Sequence, residues 1–296
     1  MKEYNTPILL ITFNRPQHTR RVLEAIMAVQ PRDLYVFQDG AREGNESDAS
    51  KCVEVRQVIE ELTEGKQVRI HKNFQERNLG CGPGPFEAMT WFFKNEEKGI
   101  IMEDDIDPHP LFFPYMDDLL ERYKDDERIG IVTGHNYERY YSSKNSYYFT
   151  FEPAGTWGWG TWRRVWKGFD FDIPYNDEKL NAAYRDFGLA KLCRRKYCNI
   201  YKGWMSGSRH DVWDYQFTYY LLVNHYLNIR PNSCLTSNKG DGPDATHTFV
   251  GNGNFEMSVN APLFENLRHP SSIKIDRSVK WRMFKKEVHL MLKKCF

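Results

Sequence analysis

The N-terminal half of the chain alternates short apolar runs with segments of helical periodicity, and this feature most restricts its fold. Polar residues follow each run, as expected for strands buried on both faces of a sheet. Such alternation is typical of a largely parallel sheet with crossover helices. The predicted strands are Ile8 to Thr12, Leu34 to Phe37, Val68 to His71, Gly99 to Met102 and Ile129 to Thr133, and the predicted helices are Pro16 to Val29, Ser50 to Leu62 and Pro83 to Asn95.

The sequence pattern changes near residue 137. Tryptophans and tyrosines become frequent there, and the alternation of predicted strands and helices ends. No Pro/Ser-rich spacer separates the two halves, so we expect them to share one core. The predicted division is an α/β half at 1–136, an aromatic-rich half of the same domain at 137–277, and a basic amphipathic helix at 278–296.

Composition excludes several classes of protein. The 296 residues suffice for one large α/β domain, and a formal net charge of +1 gives no sign of a nucleic-acid partner. Six cysteines form no CxxC pair, which predicts free thiols in a reducing compartment. No apolar run is long enough to span a membrane, and the first predicted strand begins too early for a signal peptide. We therefore expect a cytoplasmic protein, with any membrane contact peripheral and at the inner face.

Acidic residues follow directly on the predicted strand Gly99 to Met102, as Glu103-Asp104-Asp105 and Asp107. Ligands of open α/β sheets bind beyond the carboxyl ends of the strands, so these acids lie where a site is expected. A divalent cation relieves the repulsion among them and can bridge to phosphate oxygens, and oxygen ligands suit Mn²⁺ or Mg²⁺. The alternative is that the acids cap a helix beginning near Pro108.

Four motifs in order resemble the GT-A fold of nucleotide-diphospho-sugar glycosyltransferases, most of all the N-acetylglucosaminyltransferase I type and its bacterial relatives. The motifs are Pro7 to Pro16 (PILLITFNRP), Phe37 to Gly40 (FQDG), Glu76 to Gly84 (ERNLGCGPG) and Glu103 to Asp105 (EDD). The resemblance covers roughly residues 7 to 250. It implies a mostly parallel central sheet flanked by helices, a nucleotide-sugar-binding first half with a DXD-type metal site, and an acceptor-binding, catalytic second half.

The resemblance also implies roles for residues of the first two motifs. Asp39 would accept a hydrogen bond from the nucleotide base, and Asn14 and Arg15 would lie near the same nucleotide, with Arg15 offering charge to phosphate. The alternatives are an ordinary turn aspartate before Gly40 and a surface arginine ahead of a helix.

The two later motifs receive roles in the same way. Arg77 and Gly80 would contact the nucleotide-sugar, since the glycine turn exposes backbone close to a helix start. Within the acidic cluster the resemblance assigns Asp105 to the metal, Glu103 to the ribose side and Asp104 to the donor sugar.

Transfer with inversion needs a base for the acceptor hydroxyl, and carboxylates are the usual choice. The candidates are Asp211 and Asp214 on a predicted helical stretch. The resemblance favours Asp214, because a Trp-Asp pair carries the base at this place in the family. The alternative for Asp214 is a local ion pair with Arg209 or His210.

Tryptophans alternate with small residues from Ala154 to Arg164. This pattern can lay an aromatic face against a sugar ring, although buried tryptophans are more often core. We expect Trp157 or Trp159, not both, to contact substrate, and Arg163 or Arg164 to face the diphosphate.

Residues 232–254 are rich in Gly, Asn and Asp, which favours a loop rather than a core element. His247 in this loop is a candidate metal or diphosphate contact, with a solvated histidine as the alternative. The loop itself is predicted to be a lid that the donor orders. The basic C-terminal helix, Val279 to Lys294, would pack on its own domain or an oligomer partner, with an interfacial membrane helix as the alternative.

The predicted function is a metal-dependent, inverting glycosyltransferase that moves a sugar from a nucleotide-diphosphate donor, UDP-sugar being favoured, to a glycan or lipid-linked acceptor hydroxyl. A sugar-1-phosphate nucleotidyltransferase is the alternative within enzymes. Such an enzyme opens with a Gly-rich phosphate loop after its first strand, where this chain reads Phe13 to Pro16 (FNRP). A catalytically silent carbohydrate-binding protein is the alternative outside enzymes.

Overall fold

The computed structural model describes residues 4–136, 144–152, 155–206, 212–240, 257 and 259–285. The strands described are β1 Ile8–Thr12, β2 Asp33–Gln38, β3 Arg69–Phe74, β4 Lys98–Glu103, β5 Ile106–Pro108, β6 Ile129–Thr133, β7 Tyr147–Thr150, β8 Trp159–Trp162, β9 Leu227–Pro231 and β10 Thr236–Asn238. The helices described are α1 Pro16–Ala28, α2 Glu46–Thr63, α3 Pro83–Asn95, α4 Phe112–Arg122, α5 Arg163–Trp166, α6 Asp177–Asp186, α7 Lys191–Ser206, α8 Asp214–Val223 and α9 Pro262–Glu265, and 277–285 are also helical.

The first four strands of the main sheet lie in the order β3-β2-β1-β4 and pair in parallel. α1, α2 and α3 connect them, as the sequence predicted. β1 and β2 are buried at every position because neighbours flank them on both sides. β3 is half-exposed, so the prediction that it is buried on both faces is wrong. It is the edge strand of the sheet and has one neighbour only.

The remaining strands continue the same sheet in the order β8-β6-β9-β7. β8 runs antiparallel to both β4 and β6, and β7 runs antiparallel to β9, while β6 and β9 are parallel. Four of the seven pairings among the described strands of this sheet are parallel, as expected, but beyond β4 the β6–β9 pairing is the one parallel pairing described. One hydrophobic core contains buried side chains from both halves of the chain, from Ile8 to Phe264.

A second hydrophobic cluster lies between α6, α7, α8 and the helical residues 277–285. Val279 and Met283 are buried in it, which favours the prediction that the C-terminal segment packs on its own domain. The described cysteines Cys52, Cys81, Cys193, Cys198 and Cys234 form no disulfide with one another, as predicted.

The segment 232–238 is part of the core, so the prediction of a loop is wrong there. Asn232, Ser233 and Thr236 are fully buried, and β10 pairs antiparallel with β5. Their side chains bond with the main chain of neighbouring segments, for example Thr236 Oγ1 to the Trp157 carbonyl at 2.8 Å. This pairing brings Lys239 and Gly240 over the carboxyl end of β4.

No helix in the described ranges is long and apolar enough to cross a membrane.

Candidate active site

The candidate site lies where three parallel strands end together. Ile11 of β1 is in register with Glu103 of β4, and Thr12 is in register with Gln38 of β2. Because parallel strands present their carboxyl ends at one edge, the residues after β1, β2 and β4 converge there. They include Arg15, Asp39 and the acidic cluster, which the sequence placed in three separate motifs.

Arg15 is the cation that faces the acidic cluster. Its Nη1 atom lies 3.0 Å from Asp105 Oδ2 and 3.5 Å from Asp104 Oδ1. The backbone amide of Phe13 also donates to Asp104 Oδ2 at 3.3 Å. One guanidinium against Glu103, Asp104 and Asp105 leaves an excess of negative charge at this edge of the sheet.

The two carboxylate oxygens of Asp105 differ in their hydrogen bonding. Oδ2 accepts from Arg15, whereas Oδ1 is buried and has no hydrogen-bond partner among the described residues. A buried carboxylate oxygen without a partner costs free energy, and a divalent cation is one group that would satisfy it. This oxygen is the kind of ligand that Mn²⁺ or Mg²⁺ takes, and the cation itself stays a prediction.

The backbone after β10 closes over this carboxylate. The amide of Lys239 donates to the main-chain oxygen of Asp105 at 2.8 Å, and Lys239 O bonds with His18 Nε2 at 3.1 Å. A Cβ atom on Gly240 would lie only 2.2 Å from Asp105 Oδ2. Residue 240 is therefore glycine for a steric reason, because a side chain there would displace the carboxylate.

The described residues do not complete a metal site by themselves. Within those ranges, no three His, Cys, Asp or Glu side chains converge as a set of metal ligands. A cation on Asp105 would need further ligands, such as the oxygens of a bound diphosphate. His247, the second predicted ligand, lies outside the described residues.

Burial and mutual repulsion perturb the acidic cluster. Burial, followed by the charges of Asp105 and Asp104, raises the pKa of Glu103 to about 8. Burial and the charge of Asp105 likewise raise the pKa of Asp104 to about 7. Perturbed carboxyl groups are typical of functional sites, and a bound cation would favour the ionised form of these groups and lower their pKa.

Asp214 lies close enough to the cluster for its charge to contribute to the raised pKa of Glu103. The packing explains this position. Trp159 is in register with Ile101, so its side chain is on the same face of the sheet as Ile101 and Glu103. Trp159 stacks on Trp213 with 5.6 Å between ring centroids, and Asp214 follows as the first residue of α8. Arg209 and His210, its alternative ion-pair partners, lie outside the described residues, as does Asp211.

Asp39 binds the glycine turn. Oδ1 accepts from the amides of Gly40 (2.9 Å) and Leu79 (2.8 Å), and Oδ2 accepts from the amide of Gly80 (3.0 Å) and from Asn78 Nδ2 (3.0 Å). Burial raises its pKa, although these backbone bonds oppose the rise. The base contact stays a prediction, and the carboxylate has a second role that the sequence did not indicate, since it fixes the turn.

Gly40 explains how the turn comes so close to Asp39. A Cβ atom at Gly40 would lie 2.5 Å from the Arg77 carbonyl carbon. The two predicted contacts of the nucleotide-sugar, Arg77 and Gly80, therefore lie directly against the end of β2.

Asn14 belongs to a network that sequence reasoning missed. Its Nδ2 donates to Asp48 Oδ1 at 2.8 Å, and Arg42 Nη2 donates to the same atom at 2.9 Å. Arg42 and Asn14 hold the pKa of the Asp48 carboxyl at about 2. The sequence held one local signal for this network. Asn45 is a typical helix-capping residue, and it caps α2 by accepting a hydrogen bond from the Asp48 amide at 3.0 Å.

Trp157 and Trp159 differ in exposure. Trp159 is fully buried against Trp213 and Phe217, which makes it a core residue. Trp157 is half-buried beside His135, with ring centroids 4.8 Å apart, and of the two it is the one that ligand can reach.

The prediction that Arg163 or Arg164 faces the diphosphate is wrong for both residues. They follow β8 at the start of β4, where Trp162 pairs with Lys98, at the opposite end of the strand from Glu103. Arg163 pairs with Glu97 at 2.6 Å. Arg164 donates to the main-chain carbonyls of Tyr123, Lys124, Asp126 and Ile129.

Neither a protein-family model nor a curated protein sequence matches the chain. Among solved structures it is similar to the inositol-1-phosphate CTP transferase from T. maritima, at 11% identity and a TM-score of 0.32, over 55% of this chain and 73% of that one. It is also similar to HddC from Yersinia pseudotuberculosis (11%, TM-score 0.34, 57% and 80% covered). A third similar structure is a UDP-glucose pyrophosphorylase complexed with UDP-glucose (11%, TM-score 0.31, 55% and 78% covered). Similarity of this degree leaves the activity of this chain to be inferred from its side chains.

Proposed function

We propose that this chain is a metal-dependent glycosyltransferase that uses a nucleotide-diphosphate sugar, with UDP-sugar favoured. The observation that carries the proposal is the Asp105 carboxylate at the carboxyl end of β4, which has one oxygen on Arg15 and the other buried without a described partner. Two further observations support the proposal: acids surround Asp105, and the charge of Asp214 contributes to the raised pKa of Glu103, which puts a candidate base near the cluster.

Asp105 would hold Mn²⁺ or Mg²⁺, with Glu103 directed to the ribose and Asp104 to the donor sugar. A bound cation would stabilise the negative charge of the departing nucleoside diphosphate. Asp39, Arg77 and Gly80 would contact the nucleotide part of the donor.

Asp214 is the proposed general base of an inverting displacement. Its carboxylate takes the proton of the acceptor hydroxyl as the acceptor oxygen bonds to the anomeric carbon. The bond from that carbon to the diphosphate oxygen breaks with its electron pair on the leaving group, so atoms and charge balance. The acceptor class is a glycan or a lipid-linked sugar hydroxyl, and half-buried Trp157 is the aromatic candidate for contact with a sugar.

The competing activity is sugar-1-phosphate nucleotidyl transfer, the kind of reaction named for two of the similar solved structures. That reaction joins a nucleoside triphosphate to a sugar phosphate and releases pyrophosphate. The segment after β1 argues against it, because it presents the Arg15 side chain to Asp104 and Asp105 rather than a glycine-rich phosphate loop.

A thermal-shift screen tests the proposal. The chain would be melted with UDP-, GDP-, CMP- and dTDP-sugars, and with nucleoside triphosphate plus sugar-1-phosphate, each with and without Mn²⁺. A nucleotide-sugar at about 100 times its Kd should raise Tm by roughly 5 °C with Mn²⁺ and much less without it. Asp105→Asn should lose the Mn²⁺-dependent part.

Asp107→Asn is the matched control, because Asp107 lies in the same segment but pairs with Arg21 at 2.6 Å. It should keep the metal-dependent shift. Pyrophosphate release from a triphosphate and a sugar phosphate would establish the nucleotidyltransferase instead. A chain that no donor stabilises, with or without Mn²⁺, would be a silent carbohydrate-binding protein and the proposal would be wrong.

A further inference from the structure

Large apolar side chains are exposed at few places in the described chain, and three of them belong to α7 or to the helical residues 277–285. Trp281 is 56% exposed, Leu192 46% and Phe284 37%. Trp281 and Phe284 stack with 6.0 Å between ring centroids. On the opposite side of the same helical turn, Val279 and Met283 are buried in the second hydrophobic cluster.

The same two segments are strongly basic. α7, Lys191–Ser206, carries five Lys and Arg residues and no acid, and 277–285 carries four and no acid. The whole chain has a net charge of only +1, so these cations are concentrated locally. The exposed ones include Lys191, Arg195 and Lys285.

Contacts at the start of α7 bring the two basic segments together. Lys280 Nζ would lie 2.9 Å from a Cβ atom built on Gly188, which precedes α7 and has a φ of +78°. Cys193 of α7 belongs to the same buried cluster as Val279 and Met283. Lys285 Nζ lies 5.1 Å from the centroid of the Trp281 ring, so charge and aromatic surface occur together on 277–285. We call the surface formed by Trp281 and Phe284 with Lys280 and Lys285 the basic aromatic face.

We propose that the basic aromatic face binds the surface of an anionic lipid bilayer, with its rings at the level of the headgroups. Tryptophan and phenylalanine partition into the boundary between headgroups and acyl chains, while lysine and arginine attract anionic lipids. The charge complementarity argues for lipid rather than a second copy of the chain, because two copies of this face would repel each other. The inference is independent of the proposed glycosyltransferase activity.

Sedimentation with liposomes tests this inference on the full chain. Wild type should bind vesicles of phosphatidylcholine and phosphatidylglycerol at a 7:3 ratio, fail to bind phosphatidylcholine alone, and dissociate as salt is raised. The double substitution Trp281→Ser and Phe284→Ser should lower the apparent partition coefficient at least about tenfold. Lys280→Glu with Lys285→Glu should also weaken binding, by about fivefold or more per charge.

Val53→Ser is the matched control, since Val53 is 52% exposed on α2, in the other half of the chain. It should bind as wild type does, and circular dichroism should show all variants folded. Equal binding to both kinds of vesicle, or unchanged binding by both double variants, would overturn the inference. A dimer in gel filtration that Trp281→Ser with Phe284→Ser dissociates, without vesicle binding by wild type, would assign the face to self-association instead.

Discussion

Asp214 carries the chemical step of the proposed reaction. Asp214→Asn keeps the size of the side chain but removes the proton acceptor. We expect the donor-dependent rise in Tm to be unchanged and the transfer rate to fall by about 10²- to 10⁴-fold. Initial rates measured beside thermal shifts separate these two effects.

Asp211→Asn is the companion variant, because the sequence also offers Asp211 as a base. It should transfer at a rate near that of wild type. A slow Asp211→Asn beside an unimpaired Asp214→Asn would move the base to Asp211.

His135 gives the fold a pH dependence of its own. It is fully buried, and burial lowers its pKa to about 4 from an ordinary value of 6.5. Below pH 6.5 the unfolded chain takes up a proton that the folded chain refuses until about pH 4, so stability falls as the pH falls through this window. Between pH 7 and pH 5 wild type should lose about 2 kcal/mol more than His135→Gln. Urea unfolding at both values measures the difference, and parallel losses would show that His135 titrates normally.

At the scale of elements, the pairing of β10 with β5 determines which backbone covers Asp105, the proposed metal ligand. It carries Gly240 onto Asp105 Oδ2, where a Cβ atom would lie 2.2 Å away. Gly240→Ala should therefore displace the carboxylate and remove the Mn²⁺-dependent shift in Tm, although the Asp105 side chain itself is unchanged. Gly203→Ala is the control, because nothing lies within 4 Å of a Cβ there and alanine favours the interior of α7. If Gly240→Ala keeps the Mn²⁺-dependent shift in Tm, the backbone after β10 can shift to make room for the added methyl group, and the prediction is wrong.

The local elements of the first half were predictable because each carries its own signal. β1, β6 and α3 have the bounds that the sequence predicted, and the proline-led start of α1 was also right. The N-terminal part of the predicted loop was not predictable, because residues 232–238 have the composition of a loop yet lie in the core. Composition reports what a segment exposes on average, whereas burial there depends on partners such as Trp157 and Asn136 that are distant in sequence.

At the scale of the whole molecule, β8 joins the two halves. This strand of the second half lies between β4 and β6 of the first half, and it brings Trp159 into the shared core. Urea unfolding followed by circular dichroism and by tryptophan fluorescence should therefore give one coincident transition. Residues 1–136 alone should not unfold cooperatively, because β4 would lose its pairing with β8, β6 would lose both β8 and β9, and apolar surface would be exposed. Two separate transitions in the full chain would show that the halves fold independently.

The sequence by itself determined the α/β class, most elements of the first half, and the acids at the end of an apolar strand, because hydrophobic period and strand-end polarity are local properties. Only the tertiary structure decided that β8 enters antiparallel, that Asp39 holds the 78–80 turn, that Asp48 binds Asn14 and that Gly240 closes on Asp105. Each of these depends on which distant segments meet, and the local pattern of a strand or turn does not specify its partner. The acidic cluster was visible in the sequence, whereas the unsatisfied oxygen that makes it a candidate cation site was not.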